Sequence, residues 1–498
     1  MERIRSEHGS IVRGGGVLLA GMLSACAVGP DYAPPAAATL KVPDTFVAAP
    51  ERPGMPPADP VRWWSGFDDP VLTQLVERSF AANNDIAAAG ARLRQARASV
   101  RQAIGAGLPS AGFSASANRS IGRDGQSFVD PTTGNSFNSG GDTTIYRAGF
   151  DAAWEADVFG GIRRSVEAAR ADAQSSEASL RDTQLSIAAE VALNYVDARV
   201  AQARLGIARA NLASQEETVQ IVGWRVQAGL VSGLDQAQAR QLRATTAASI
   251  PPLETSYVAA ANRIAVLIGE APGAVDALIG SGGPVPLAPA AVAIPAEVMR
   301  QRPDVAAAER TLAAETARIG VAVAELYPAL RLSGSFIGSD TSIGDLPSAA
   351  IGNLIAAISA PLFQGGQLRA RIAGQRAAAD VAYATYRQTV LLALEEVENA
   401  LASLANAERR ERELAIAAEA ARNAVIYARS QYRAGLIDFQ TVLDSERSLL
   451  SSEDAQATAR ANRATATVQL YKALGGGWQA APPPAPAAFG ATASTTRP

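Results

Sequence analysis

The stretch "AGLIDFQTVLDSER", Ala434 to Arg447, has a counterpart earlier in the chain, "AGLVSGLDQAQARQ", Ala228 to Gln241. Both open on Ala-Gly-Leu, and Gly229 and Gly435 stand 206 positions apart. The correspondence extends in both directions. Glu190 matches Glu396, and "LIG" ending at Gly269 matches "ALG" ending at Gly475, at the same offset. Nearer each start, "NNDIAAAGARL" from Asn83 resembles "RPDVAAAERTL" from Arg302, and "LPSAGFSAS" from Leu108 resembles "YPALRLSGS" from Tyr327. A repeat of this length is an internal duplication. Each half reads helix, strand, strand, long helix, turn, long helix.

The windows Gly161 to Gln227 and Gly366 to Arg433 hold no proline and are dominated by Ala, Arg, Glu, Gln and Leu, all good helix formers. At 1.5 Å per residue each would reach about 100 Å. A helix that long needs neighbours alongside it, as in a coiled coil. Gly229 and Gly435 suit left-handed C-caps, with the following apolar residue packing back. The helix after each turn returns antiparallel, with Ser232 and Asp438 as N-caps.

The strands indicate the environment of the other end. In "YRAGFDAAWE", Tyr146, Ala148, Phe150, Ala152 and Trp154 alternate with Arg147, Gly149, Asp151, Ala153 and Glu155. Leu330, Leu332, Gly334 and Phe336 alternate with Arg331, Ser333 and Ser335, and Phe113, Ala115 and Ala117 with Ser114, Ser116 and Asn118. Residues 351–360 alternate poorly and are placed by their repeat partner. A soluble half-buried sheet shares this period of two, but the lengths also suit spans of about 9–11 residues, and the N-terminus favours the membrane. Two strands per half make four per chain. Four strands cannot close a barrel, and open edges are not tolerated in hydrocarbon. The expectation is an α+β membrane protein, a homotrimer closing a twelve-stranded transmembrane β-barrel continuous with a long α-helical barrel. Two copies would close only a narrow barrel filled by side chains. Arg147, Asp151, Glu155 and Arg331 would line its pore.

At the N-terminus, Arg3, Arg5 and Arg13 precede the apolar "VLLAGMLSA" and then "LSAC", Leu23 to Cys26. This is the pattern of a secretory signal with a lipobox. Residues 1–25 would be removed and Cys26 would carry the lipid, each buried methylene contributing about 0.8 kcal/mol of anchoring. Cys26 is the one cysteine in the chain, so no disulfide competes. Ala27, rather than Asp, favours sorting to the outer membrane. His8, the one histidine, lies in the removed segment. His-dependent triads, Cys nucleophiles and ordinary zinc sites are therefore excluded from the mature chain. No phosphate-cradling loop is present, and a net charge of −3 gives no argument for nucleic acid. The expectation is no enzyme, no metal and no cofactor beyond the lipid on Cys26.

Several stretches together resemble the TolC-like outer-membrane factors, in the lipoprotein branch often labelled NodT. They are "CAVGPDY" (26–32), "WWSGFDDPVL" (63–72), "RPDVAAAERTLAAETARIGVAVAELYP" (302–328), "SAPLFQGG" (359–366) and "YKALGGGW" (471–478). The resemblance implies a homotrimeric tunnel across the outer membrane and periplasm, fed by an inner-membrane transporter, usually of the RND class, through a periplasmic adaptor. Its gate lies at the periplasmic tip. The family pattern is a Tyr, an Ala/Thr-Gly turn, then a helix beginning around "LLDAQR". It places Tyr432, Gly435 and Thr441 as supporting residues, and Asp444 and Arg447 as the gate. Gln440 stands where the family often has a leucine. In the first copy Gln238 and Gln241 occupy the positions of Asp444 and Arg447, so the second hairpin is expected to carry the gate.

The organisation that follows is a signal (1–25), a lipid-anchored linker and equatorial segment (26–80), a first repeat (81–269), a Pro/Gly-rich linker (270–295), a second repeat (296–478) and a disordered tail (479–498). The favoured function is a duct exporting small molecules. The alternatives are a duct of the same fold for protein secretion, and a lipid-anchored coiled-coil protein without a pore.

Overall fold

A computed structural model of the chain describes residues 27–36, 46, 60–121, 126–139, 143–288 and 302–476. The signal segment, Cys26, the end of the Pro/Gly-rich linker and the C-terminal tail lie outside the described residues. The long helices among the described residues are α1 Pro70–Ala82, α2 Asn84–Gly105, α3 Gly161–Gln227, α4 Gly233–Ala248, α5 Ile250–Leu267, α6 Pro303–Ala324, α7 Gln367–Arg433 and α8 Phe439–Ala473. The strands are β1 Ser110–Ser120, β2 Gln126–Val129, β3 Ser136–Ser139, β4 Thr143–Ala156, β5 Ala329–Asp340 and β6 Ala350–Ser359. The described parts of the chain divide into two compact units, one from residues 1–34, 92–176 and 308–386, the other from 35–91, 177–307 and 387–498.

In the first unit, β1, β4, β5 and β6 form one antiparallel sheet in that order. Directly opposite residues share a face, so the register resolves its two sides. Phe113, Phe150, Phe336 and Gly352 form one row, and Trp154, Leu332 and Ala356 another. The three phenylalanines are exposed, an apolar band with no protein over it in a single chain. Trp154 Nε1 donates to Gly107 O at 3.0 Å, and Phe159 stacks on Tyr327 at 4.7 Å between ring centroids. Aromatic residues therefore stand at the helix end of the sheet, as in the interfacial girdle of a membrane barrel. The opposite face carries Asp151, Ser335 and Asn353 in one row and Glu155 and Arg331 in another. β6 puts Ile351 and Ile355 on this polar face, which is why its sequence alternates poorly. No helix among the described residues is long and apolar enough to cross a membrane.

α3 and α7 are each 67 residues long. α8 runs 35 residues without a break, whereas its counterpart is split into α4 and α5 at Ser249. The single long helix expected after the first turn is thus two. The cause is local: prolines fill the first turn of α5, lack the N–H that would continue α4, and suit a helix start. A second hairpin, β2 with β3, interrupts the first repeat and was not expected from the sequence.

The core of the second unit gathers around Trp63, which is fully buried and stacks on Tyr471 at 5.6 Å. Leu72, Leu75, Tyr195, Ile264 and Leu267 complete it. The duplication is visible here in two unlike side chains. Asn83 Nδ2 donates to Leu267 O at 2.9 Å, closing the end of α5. Arg302 Nη1 donates to Ala473 O at 2.6 Å, closing the end of α8. The same task falls to equivalent positions in the two halves.

Candidate functional site

The turns that end α3 and α7 are Schellman motifs. Gly229 and Gly435 have φ of 71° and 75°. Leu230 N–H donates to Arg225 O at 2.8 Å, and Leu436 N–H to Gln431 O at 2.9 Å. The apolar residue after each glycine does not pack back as expected: Leu230 and Leu436 are exposed. Two backbone hydrogen bonds satisfy the helix end by themselves, and the leucines stay outside the apolar cluster. Ser232 caps α4 in a reciprocal capping box with Asp235. Asp438 Oδ1 accepts from Thr441 N–H at 2.9 Å and from its hydroxyl at 2.6 Å, and these hydrogen bonds hold the Asp438 carboxyl below the usual carboxylate range.

Behind the turns lies a small core of Val222, Leu242, Phe439, Val442 and Leu443, with Tyr432 against it. Tyr432 packs on Phe439 at 5.4 Å, and the Arg225 guanidinium lies over its ring at 4.6 Å. Tyr432, Gly435 and Thr441 therefore meet at one turn and shape the entry to α8.

Asp444 and Arg447 stand on the outward face of α8, their side chains 59% and 44% exposed. Arg447 Nη1 donates to Asp444 Oδ1 at 3.3 Å, and Gln440 Nε2 donates to the same oxygen at 3.1 Å. The polar Gln440 supports the aspartate where a leucine would have stood beside it. Gln241 and Arg447, equivalent positions in the two halves, line one groove of about 900 Å³ with Arg204 and Asp454.

The residue that sequence reasoning missed is Glu446, 2% exposed. Its Oε1 accepts from Arg429 Nη2 at 2.7 Å and from Thr218 Oγ1 at 3.1 Å, and Arg429 also bonds Ser214. This polar knot ties α3 to α7 and α8. Helical spacing could have revealed it. Phe439, Val442 and Leu443 are buried, and Glu446 continues their stripe at the next turn.

On the polar face of the sheet, Glu155 and Arg331 form a cross-strand ion pair at 3.0 Å, and Asp151 is exposed. Arg147 shares their face, but its charge is engaged: Nη2 lies 2.6 Å from Asp130 Oδ1. Cys26 lies outside the described residues. The segment beginning at Ala27 is held firmly, with Val28 N–H donating to Phe159 O at 3.2 Å and the buried Arg164 bonding Asp31 at 2.6 Å. A Cβ on Gly160 would come within 2.8 Å of Ala27 Cα, so that position must stay bare. Among the described residues, no three His, Cys, Asp or Glu side chains are grouped to hold a metal.

The family profile described as "Outer membrane efflux protein" matches residues 75–270 and 294–476. The chain is 34% identical over 464 residues to Nodulation protein T of Rhizobium leguminosarum bv. trifolii, covering 92% of this chain and 96% of that protein. It is 32% identical over 427 residues to the pyoverdine export outer membrane protein OpmQ of Pseudomonas putida, covering 85% and 89%. Among solved structures, the outer-membrane channel OprN superposes with a TM-score of 0.81 at 38% identity, covering 91% of this chain and all of that one. The superposition on OprN covers nearly all of the described chain. The chain belongs to the outer membrane efflux protein family.

Proposed function

We propose that three copies of this chain form the outer-membrane duct of a tripartite efflux system. The observation that carries this is the open sheet of four strands. It has an exposed phenylalanine band on one face, charged residues on the other, and, among the described residues of one chain, unpaired edges at β1 and β6. Such a sheet is stable in hydrocarbon only when its edges are paired. Three copies supply twelve strands and turn every charged face inward onto a water-filled lumen. The long helices carry the wall on into the periplasm, where a membrane-fusion adaptor connects the tip to an inner-membrane transporter, of the RND class, that supplies the energy. The cargo is small molecules, and a duct of this kind performs no bond chemistry. Purified protein reconstituted in planar bilayers should run as a trimer and conduct. A trimer that never conducts, even as Asp444→Ala, would refute the duct.

The lipid belongs to the same proposal. Ala27, which follows Cys26 in the sequence, is seated against Gly160 at the junction of β4 and α3. Cys26→Ser is expected to abolish incorporation of labelled palmitate; persistent labelling would place the acyl group elsewhere.

A further inference from the structure

The β2–β3 hairpin lies at the end of the sheet remote from the helices, between the last residue of β1 and the first of β4. Its strands are four residues each, too short to persist alone in water. The turn between them is well formed: Asp130 N–H donates to Asn135 O at 3.0 Å, Gly134 N–H to Asp130 O at 2.9 Å, and Thr132 N–H to Asp130 Oδ1 at 2.9 Å. Yet Asp130 is 0% exposed, while Pro131, Thr132, Gly134 and Asn135 around it are exposed. The carboxylate is buried because it is pressed onto the sheet, 2.6 Å from Arg147 Nη2.

Strand parity decides which side of the sheet it meets. Arg147, Asp151 and Glu155 are spaced by four along β4 and so share one face. Arg147 pairs with Ser116 on β1 and Ser339 on β5, and Ser339 is 1% exposed. The hairpin therefore folds onto the polar face, not the phenylalanine face. We propose that the β2–β3 hairpin is a flap over the outer mouth of the duct, latched by the Asp130–Arg147 ion pair. This rests on the duct reading, in which the polar face lines the lumen and three chains contribute three flaps. One buried ion pair fastens the hairpin to the sheet, and lifting the hairpin would return Asp130 and Arg147 to water. Charge at Arg147, engaged while the flap is down, then joins the lumen wall.

The test uses a reporter thiol that does not depend on conduction. Ser339→Cys is introduced into the full-length chain, where Cys26 is blocked by its lipid, and intact cells are treated with a membrane-impermeant maleimide. Labelling is expected to be at least tenfold faster when Asp130→Ala is added, and also with the nearly isosteric Asp130→Asn, which guards against a misfolded hairpin. The charge swap, Asp130→Arg with Arg147→Asp, should restore slow labelling. Equal rates in all backgrounds would overturn the flap. Conductance of the same variants in planar bilayers separates the two proposals. A labelling difference with no conductance in any variant would leave the cover in place but remove the duct. Conductance with no labelling difference would leave the duct and remove the flap.

Discussion

Asp444→Ala should raise single-channel conductance several-fold over the wild type in planar bilayers at neutral pH. In a trimer the three Asp444 carboxylates would face one another across the axis. Each is mostly exposed on α8, held by Gln440 and Arg447 of its own chain. Such a ring narrows the aperture by occupying it with hydrated charge and with the side chains that hydrogen-bond to it. The i,i+3 pair with Arg447 contributes only about a few tenths of a kcal/mol within one helix, so its loss alone would not unfold the tip. This makes the variant a clean probe of the aperture. Arg447→Ala should open the duct less, because Gln440 still holds the aspartate. Equal conductance in wild type and Asp444→Ala would reduce the pair to an ordinary surface ion pair. Glu446 offers the contrast: two residues after Asp444 it is buried, and Glu446→Ala would leave Arg429 without its carboxylate. That change would loosen the packing of α8 against α3 rather than alter the charge at the axis.

Arg302→Ala is expected to lower folding stability by about 3 kcal/mol, read as a fall in the denaturant midpoint. Removing one member of a buried ion pair typically costs about 3–5 kcal/mol. The lower end applies because the Glu396 side chain is 58% exposed and stays solvated. Arg302 itself is buried, with Nε and Nη2 bridging Asp304 at 3.0 and 2.8 Å, Nη2 also reaching Glu396 at 2.7 Å, and Nη1 on Ala473 O. Its loss leaves Ala473 O without that donor and the Asp304 and Glu396 carboxylates without their shared cation, near Asp182 in one cavity. Burial raises the pKa of Asp182, and the charges of Asp304 and Glu396 raise it further against Lys472 and Arg302. An aspartate raised in this way carries no penalty below the ordinary aspartate range and its full penalty above its own raised pKa. The variant should therefore recover part of its stability as pH falls through that window. Arg302→Lys should be intermediate, since an ammonium keeps the charge but loses the planar fork. An unchanged midpoint for Arg302→Ala would show that the α8 terminus needs no such clamp.

Much of this protein could be read directly. The ends of α3 and α7 follow from the Gly229 and Gly435 caps, because a left-handed backbone turn is a local requirement that glycine meets. The starts of α4 and α8 follow from Ser232 and Asp438, which bond backbone groups three residues ahead. The two faces of β1, β4 and β5 follow from strict alternation. The proline break between α4 and α5 was equally local, and Pro251 and Pro252 were there to signal it. The gate reading of Asp444 and Arg447 rests on the family pattern alone, since an exposed Asp and Arg three apart on a helix carry no mark of their own.

What the residues along the chain determined by themselves is whatever depends on neighbours within a turn or two: helix length, capping, strand alternation, the duplication, and hence the count of four strands that forces association. What only the tertiary structure decided depends on partners far apart in the chain. Glu446 is buried because α3 and α7 close over it. Asp130 is buried because a short hairpin folds back onto Arg147, and nothing in "VDPTTGN" states which face of which strand it will meet. Arg302 and Asn83 perform one task with different chemistry because the end of a helix presents the same bare carbonyl in both halves. Local chemistry is written in order along the chain, whereas the pairing of buried charge is settled only when distant segments exclude water together.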